Sequence, residues 1–327
     1  MTIVPIPSGT RDVLPDEMRE LRAIGDAMRA VFEEHGYGEV ATPALEYEDV
    51  LARGGAAGRL PAYRVVDDHG AVLALRSDMT VPIARVAATR YATAEPPLRF
   101  SYLANVHRTV RPHRGQMREF LQAGIELIGS PAPGGTAEAL TVLCRALDAV
   151  GLRGYRIGLG DASLVPSLVR GVDGAAVLAA LAAHDFVALE HEVARLDLEP
   201  ERAEALVALP QRRGGPEVLD LPGVEGLRRV LDLLEPGVAA RVIFDLGLVR
   251  RLGYYTGAVF EIYDPALGEP LGGGGRYDDL LGRFGRPLPA VGFAVGLDAL
   301  HVALAGEGGS PPTGDPDRVG APGGPVT

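Results

Sequence analysis

The stretch at residues 244–280, FDLGLVRRLGYYTGAVFEIYDPALGEPLGGGGRYDDL, decides the fold of this chain. Its middle part, residues 258–263 (AVFEIY), has the alternation of a half-buried β-strand. Its last part holds four consecutive glycines at residues 272–275. Because glycine has no Cβ, the run predicts a place where the backbone can come close to a ligand.

Two interpretations of the glycine run stay open from the residues alone. In the first, the glycines are the floor of a site for a small polar ligand with a flat ring or a carboxylate, beside Arg250, Tyr254 and Tyr255. In the second, the run is a glycine-rich hairpin and the tyrosines pack in the core. Taken alone, the run favours the hairpin, because runs of glycine are common in turns.

The composition is that of a globular protein with a proper core. The chain has 327 residues, of which 47% are hydrophobic and 23% charged, and this length leaves room for two domains. It contains no run of about 18 apolar residues and no secretory signal at its start, so we expect no membrane span and a cytoplasmic location. The single cysteine, Cys144, excludes an internal disulfide framework and a cysteine-based zinc site. We expect neither a cofactor nor a bound metal.

All 32 basic residues are arginine, which excludes several chemistries. Without lysine there is no Walker-type phosphate lysine, no Schiff base and no lysine nucleophile. Phosphate or carboxylate recognition must therefore use arginine or backbone amides. The net charge of −11 argues against a nucleic-acid partner, because binding a polyphosphate backbone depends on positive charge.

The predicted elements place sheet strands on both sides of a long helical stretch. Helices are predicted at residues 15–35, 78–91 and 136–150. Strands are predicted at residues 40–43, 97–106, 120–128, 155–159, 258–263 and 289–297, with a β-hairpin at 63–76. We therefore expect a core at residues 1–160 and 240–305, a helical insertion domain at 161–239, and a disordered Gly/Pro-rich tail at 306–327.

The loop between the second and third predicted strands is rich in arginine. Arg108, Arg111, Arg114 and Arg118 would repel one another unless an anion or carboxylates lay among them. Arg108, Arg111 and Arg118 are therefore candidates for an anion site. A solvated basic loop is the alternative.

Two polar residues on the strand after this loop are candidates for a buried site. Gln122 and Glu126 lie four residues apart, so they point to the same face of the strand. A carboxylate that faces a core costs several kcal/mol, as an order of magnitude, unless it is paired. Glu126 therefore predicts a binding partner if it faces inward, and an exposed glutamate is the alternative.

Six motifs occur in the order found in the catalytic core of class II histidyl-tRNA synthetases, and over residues 5–305 the chain resembles that family. The resemblance implies an α+β fold, a largely antiparallel sheet flanked by helices with an inserted helical subdomain. The matching segments are PSGTRD (7–12) with TP (42–43), LRSDMT (75–80), NVHR (105–108) with REF (118–120), RRLGYY (250–255), GGGRYD (273–278) and GFAVG (292–296).

The resemblance also implies a histidine pocket. Its side chains would be Asp78, Thr80, Gln122, Glu126, Arg250, Tyr254, Tyr255 and Tyr277. By this resemblance, Asp78 and Thr80 would hold the α-amino group, and Gln122 and Arg250 would lie by the carboxylate. Glu126 would accept the imidazole N–H, with tyrosines around the ring, which suits a group that needs a buried acceptor.

Four departures separate this chain from the active synthetases that it resembles. Ala299 stands where they carry the motif-3 arginine that clamps ATP, Gln116 replaces an arginine of the motif-2 loop, and Gly253 replaces the aspartate of the first histidine motif. Losing such clamps costs orders of magnitude in rate, because adenylation must neutralise a triphosphate. We also expect no anticodon-binding domain after residue 305, because such a domain needs at least about 50 residues.

A synthetase core with these departures resembles the regulatory subunits of short-form ATP phosphoribosyltransferase. The resemblance implies a chain without catalytic residues, part of a glycosyltransferase complex in the first step of histidine biosynthesis. It implies the short-form catalytic subunit as partner, histidine as the feedback effector, a self-associated dimer and no nucleic acid. Two alternatives stay open: a histidine-adenylating enzyme, favoured by Arg108 and Arg250, and an RNA-binding or stress-sensing module on the same core.

Overall fold

The computed structural model describes residues 5–55, 62–109, 117–221, 223–249 and 253–308. The α-helices are α1 (Pro15–Glu34), α2 (Glu48–Ala52), α3 (Thr80–Thr89), α4 (Gly134–Ala149), α5 (Leu164–Leu168), α6 (Ala175–Ala182), α7 (Phe186–Ala194), α8 (Pro200–Ala208), α9 (Glu225–Leu231), α10 (Pro236–Ala239) and α11 (Leu297–Gly306). The strands are β1 (Gly38–Glu39), β2 (Leu45–Tyr47), β3 (Arg64–Val66), β4 (Val72–Leu75), β5 (Leu98–His107), β6 (Glu119–Ile128), β7 (Arg156–Asp161), β8 (Arg213–Gly214), β9 (Val242–Asp245), β10 (Ala258–Tyr263), β11 (Gly272–Arg276) and β12 (Ala290–Gly296).

The strands form one large sheet and one small sheet. The large sheet has nine strands in the order β1-β5-β6-β12-β11-β10-β7-β9-β8, and the small sheet has the order β2-β4-β3. Among the described strands only the β1/β5 and β7/β9 pairs are parallel. The largely antiparallel α+β fold expected from the sequence is therefore confirmed.

One face of the large sheet carries the main core. Ile125 and Leu127 of β6 and Phe293 and Val295 of β12 point to this face and are buried. They pack with α1, α4 and α11, and the ring of Phe32 on α1 meets that of Phe293 edge-on at 5.9 Å. Because side chains alternate along a strand, the residues between these buried ones point to the opposite face of the sheet, and Glu126, between Ile125 and Leu127, is one of them.

The glycine run is the central strand β11, which forms a hairpin with the preceding strand β10. The hairpin interpretation is therefore confirmed, with Tyr254 and Tyr277 buried in one core cluster, and the glycines lie in a strand of the hairpin and not in its turn. β11 pairs antiparallel with both β10 and β12. A Cβ at Gly274 would lie 2.1 Å from the carbonyl oxygen of Gly292 and 2.8 Å from the Phe260 ring. Glycine is needed here because the neighbouring backbone and an aromatic ring fill the space that a side chain would take.

Strand β1 ends earlier than the sequence predicts. We predict a strand at residues 40–43, whereas β1 ends at Glu39. The carbonyl oxygen of Thr42 accepts a hydrogen bond from Arg76 Nη1 at 2.5 Å, and Pro43 has no N–H to donate to a ladder. The hairpin predicted at residues 63–76 is confirmed by the β3/β4 pair.

The stretch between β7 and β9 is helical apart from β8, which extends the edge of the large sheet. Leu189 and Leu206 from these helices share one buried cluster with Leu159 and Phe260 of the sheet. The helices are therefore packed onto the sheet through a continuous core. A separate helical insertion domain at residues 161–239 stays a prediction.

Candidate functional site

A row of residues across the large sheet forms the floor of the candidate site. Glu126 on β6 lies opposite Gly292 on β12, and Gly292 lies opposite Gly275 on β11. Residues directly opposite each other in an antiparallel pair point to the same face of the sheet. The two glycines therefore leave room for the Glu126 carboxyl group over Gly292 and for the Tyr255 ring against Gly275.

Glu126 is buried and hydrogen-bonded through both carboxylate oxygens. Its Oε1 accepts a hydrogen bond from Thr80 Oγ1 at 2.7 Å, and its Oε2 accepts one from the hydroxyl of Tyr277. Thr80 begins α3 and Tyr277 follows β11, so three separate elements meet at one carboxyl group. The inward-facing alternative for Glu126 is confirmed, and Thr80 and Tyr277 come together with it as the resemblance implies.

The surroundings of Glu126 disfavour its charged form. Burial raises its pKa to about 8, from an ordinary 4.5, although the hydrogen bonds from Tyr277 and Thr80 act in the opposite direction. The nearby carboxyl of Asp78 raises the pKa further. The site therefore holds an acid that is largely protonated at neutral pH and that a cationic ligand would ionise.

Asp78 lies at the start of α3 and is the second carboxyl group of the site. Its Oδ1 accepts a hydrogen bond from the backbone N–H of Val81 at 3.0 Å, which confirms the predicted helix cap. Burial raises the pKa of Asp78, and the Val81 N–H and the positive charge of Arg108 partly oppose this. Two carboxyl groups with raised pKa values in one cleft favour a ligand that carries an ammonium or imidazolium group.

Three tyrosines form one wall of the site. The Tyr254 ring lies 4.9 Å from that of Tyr255 and 5.7 Å from that of Tyr277, the second pair edge-on. Tyr254 and Tyr277 are buried and Tyr255 is half-buried, with its ring against Gly275. Burial raises the pKa values of Tyr254 and Tyr277 well above the ordinary range, so both hydroxyls stay protonated hydrogen-bond donors.

Sequence reasoning missed Tyr102 and the role of Gly292. Tyr102 on β5 is buried near Glu126 and Asp78, and its hydroxyl donates a hydrogen bond to the Phe293 carbonyl at 3.4 Å. A Cβ at Gly292 would lie 1.9 Å from Glu126 Oε2. Both residues can be placed in the site only when the register of β5, β6 and β12 is known. Local sequence pattern does not contain this register.

Gln122 is buried on the same face of β6 as Glu126, as the alternation predicts. It lies opposite Gly296 on β12 and Ala104 on β5, both of which have small side chains or none. Next to Gly296, Asp298 accepts a hydrogen bond from the Leu121 N–H at 3.4 Å and forms an ion pair with Arg11. This end of the site therefore carries an internal ion pair beside Ala299.

Two of the candidate anion-site arginines, Arg108 and Arg118, lie on either side of residues 110–116, which are outside the described residues. Arg108 Nε donates to the Ser77 carbonyl at 3.1 Å, and its guanidinium lies 5.0 Å from the centre of the Phe120 ring. Arg118 donates to the Tyr63 hydroxyl and lies over that ring. Of the predicted site residues, Arg111 and Arg250 lie outside the described residues, as does Gln116. The anion site stays a prediction.

Other features of the described residues lie away from this site. An open depression of about 410 Å³ lies between α7 and α8 and contains none of the predicted site residues. No group of three or more His, Cys, Asp or Glu side chains in the described ranges is placed to hold a metal ion. The helices of the described part are all too short or too polar to cross a membrane.

The sequence matches two groups of known proteins. The family described as histidyl-tRNA synthetase matches residues 9–300. The ATP phosphoribosyltransferase regulatory subunit of Symbiobacterium thermophilum is 46% identical, over 94% of this chain and 82% of that protein. That of Moorella thermoacetica is 40% identical, over 91% and 81%. The chain belongs to the family of ATP phosphoribosyltransferase regulatory subunits.

Solved structures agree with membership of this regulatory-subunit family. A structure from Bacillus halodurans, described as an ATP phosphoribosyltransferase regulatory subunit/histidyl-tRNA synthetase, has a TM-score of 0.82 at 32% identity, covering 93% of this chain and 84% of that one. The histidyl-tRNA synthetase of Nostoc has a TM-score of 0.75 at 25% identity, covering 94% and 77%. The class II synthetase-like fold predicted from the motifs is confirmed.

Proposed function

We propose that this chain is the non-catalytic regulatory subunit of a short-form ATP phosphoribosyltransferase and that it confers feedback inhibition by histidine. The names of its relatives support the regulatory role. In the proposed complex the catalytic subunit carries out the first step of histidine biosynthesis. This chain binds the effector and changes the activity of its partner.

The observation that carries the proposal is the set of contacts around Glu126. Thr80 and Tyr277 hold its carboxyl group between them, and Asp78 and the tyrosine wall complete a site that favours a cationic ligand with a flat ring. Histidine has both features, an ammonium group for Asp78 and an imidazole for Glu126. A regulatory subunit needs this half of a synthetase site and not the half that activates ATP.

The proposed lack of catalysis is supported by the end of the site near Gln122. Ala299 offers no positive charge to a triphosphate, and Asp298 beside it is an acid paired with Arg11. A triphosphate at this end would meet a neutral alanine and an acid already paired with Arg11, where an adenylating enzyme needs a free cation. ATP–pyrophosphate exchange measured with histidine tests this point, and we expect no histidine-dependent exchange. Robust exchange would instead establish the histidine-adenylating alternative.

We also propose that the chain forms a dimer through the small sheet. Tyr47, Leu73 and Val65 lie opposite one another on β2, β4 and β3, so their side chains share one face. Tyr47 is 53% exposed and Val65 45% exposed in the isolated chain. A contiguous apolar face of this kind is typical of protein–protein contact surfaces.

The regulatory function is tested by reconstitution. The purified catalytic subunit of the same organism is assayed for phosphoribosyl transfer alone, with this chain, and with this chain and histidine. We expect activity to depend on assembly and to fall as histidine is added. A catalytic subunit that neither binds this chain nor changes its activity with it would contradict the proposal.

A further inference from the structure

The end of α2 and the end of the 3₁₀ helix Leu281–Phe284 bring two arginines together. Arg53 Nη1 donates a hydrogen bond to the Arg283 carbonyl at 3.2 Å, and Arg283 Nη1 donates one to the Arg53 carbonyl at 2.8 Å. The Arg53 guanidinium also lies 5.3 Å from the centre of the Phe284 ring. These contacts hold the two side chains, here called the arginine pair, at fixed positions.

Among the described residues the arginine pair has no acidic partner. Within the described ranges, neither Arg53 nor Arg283 forms an ion pair with an aspartate or glutamate. Asp49 lies four residues before Arg53 on α2, but it accepts a hydrogen bond from the Val50 N–H at 2.9 Å instead. Both arginines are exposed, in a chain whose net charge is −11. Two adjacent exposed cations without a counter-charge attract a negative group from outside the chain.

The local backbone favours a carboxylate over a phosphate as that group. Phosphate sites use the free N–H groups of helix N-termini and glycine-rich loops. Both arginines instead lie at helix C-termini, where the backbone presents carbonyl oxygens and not free N–H groups. The N–H groups of Gly54 and Gly55 already bond to the carbonyls of Leu51 and Ala52. What the pair offers is its remaining guanidinium N–H groups, whose planar geometry is enough to bind a carboxylate without backbone N–H groups.

We propose that the arginine pair docks an acidic surface of the catalytic subunit. This inference rests on the proposed function and adds to it the face through which the partner is bound. A Cβ at Gly54, next to Arg53, would lie 3.9 Å from the Tyr254 ring, so this face lies directly behind the tyrosine wall. Partner binding at the arginine pair is then linked to histidine binding, and each ligand changes the affinity of the other by the same factor.

The test compares two double variants that remove the same charge. Arg53→Gln with Arg283→Gln removes the arginine pair but leaves amide N–H groups for the carbonyl contacts. Arg19→Gln with Arg195→Gln is the control, since both arginines are exposed and each pairs with an acid three residues before it. The Kd for the catalytic subunit is measured over a range of NaCl concentrations, and circular dichroism checks the fold. The single variants replace the double variant if it is unstable.

We expect the Kd of the arginine-pair variant for the catalytic subunit to rise about 3- to 30-fold and to depend less on salt. The Kd of the control variant should stay near that of the parent, the unsubstituted chain. An unchanged Kd and salt dependence in a folded variant would overturn the inference while leaving the proposed function intact. If the parent itself does not bind the catalytic subunit, the proposed function is wrong. Pyrophosphate binding by the isolated parent, lost in the arginine-pair variant, would identify a small-anion site and also overturn the inference.

Discussion

The hydroxyl of Tyr277 donates a hydrogen bond to Glu126 Oε2 from across an intervening strand. Tyr277 follows β11 and Glu126 lies on β6, with β12 between them in the sheet. The residue of β12 opposite Glu126 is Gly292, and a Cβ there would lie 1.9 Å from Glu126 Oε2. The hydrogen bond between Tyr277 and Glu126 can form because position 292 has no side chain. Substitutions at Glu126 and Gly292 therefore test the site.

Replacing Glu126 with alanine should weaken histidine binding. If the carboxyl accepts the imidazole N–H, its loss leaves that group unpaired and costs about 1–3 kcal/mol of binding free energy. The assembled phosphoribosyltransferase should stay active and become less sensitive to histidine, and Tyr255→Ala should act in the same direction. Calorimetry of histidine binding and an inhibition curve of the complex measure this. Glu204→Ala, an exposed glutamate on α8, is the control. Unchanged half-inhibition in both site variants would mean that the effector binds elsewhere.

Gly292→Ala should damage the site through sterics alone. The added methyl group would meet Glu126 Oε2, so the carboxyl group must move away from Tyr277 or the strands must separate. Overpacking of this kind costs about 1–3 kcal/mol of the free energy of unfolding, and we expect histidine binding to weaken with it. Gly237→Ala in α10 is the matched control, since nothing lies within 4 Å of its Cβ position. Equal effects of the two substitutions in urea unfolding would refute this reading.

The stability of the chain should respond to pH through Glu126. Its pKa of about 8 in the folded chain exceeds its ordinary value of 4.5, so between these pH values only the folded state keeps the proton. Glu126 therefore lowers the free energy of unfolding progressively as pH rises across this interval. A glutamine at position 126 cannot ionise, so Glu126→Gln does not lose this stability. As pH increases, the free energy of unfolding of the variant minus that of the parent should rise by a few kcal/mol, as an order of magnitude, and level off above about pH 8. Urea unfolding at a series of pH values measures the difference; a difference that does not vary with pH would show that Glu126 titrates normally.

A charge on the exposed face of the small sheet should disrupt the proposed dimer. Tyr47→Glu combined with Val65→Glu places two carboxylates on an apolar face that a second copy would have to bury. Burying unpaired charges costs several kcal/mol, so the equilibrium should move to monomer. Sedimentation velocity measures the change, and Val302→Glu, half exposed on α11, is the control. Dimers that persist in the double variant would locate the interface elsewhere.

Local sequence pattern was enough for most of the architecture. The long strands β5 and β6, the hairpin β3/β4 and the helices α1, α3 and α4 were predicted, because alternation and amphipathic spacing are local properties. The motif order was enough for the family. The glycine run was ambiguous, because glycines have no side chains whose alternation could mark a strand, although its partners β10 and β12 are the neighbouring strands in the chain.

The environment of Glu126 was decided only by the tertiary structure. The sequence placed this residue on a strand face, but its partners Thr80 and Tyr277 lie 46 and 151 residues away. The pKa of the carboxyl depends on how deeply the assembled sheet buries it and on the nearby Asp78, neither of which is a local property. The arginine pair has the same origin, since Arg53 and Arg283 are 230 residues apart and meet where two short helices end. The sequence alone determined which groups the chain carries. Packing decided which of them meet, because the energies that set a pKa or a hydrogen bond act over a few ångströms in space and not along the chain.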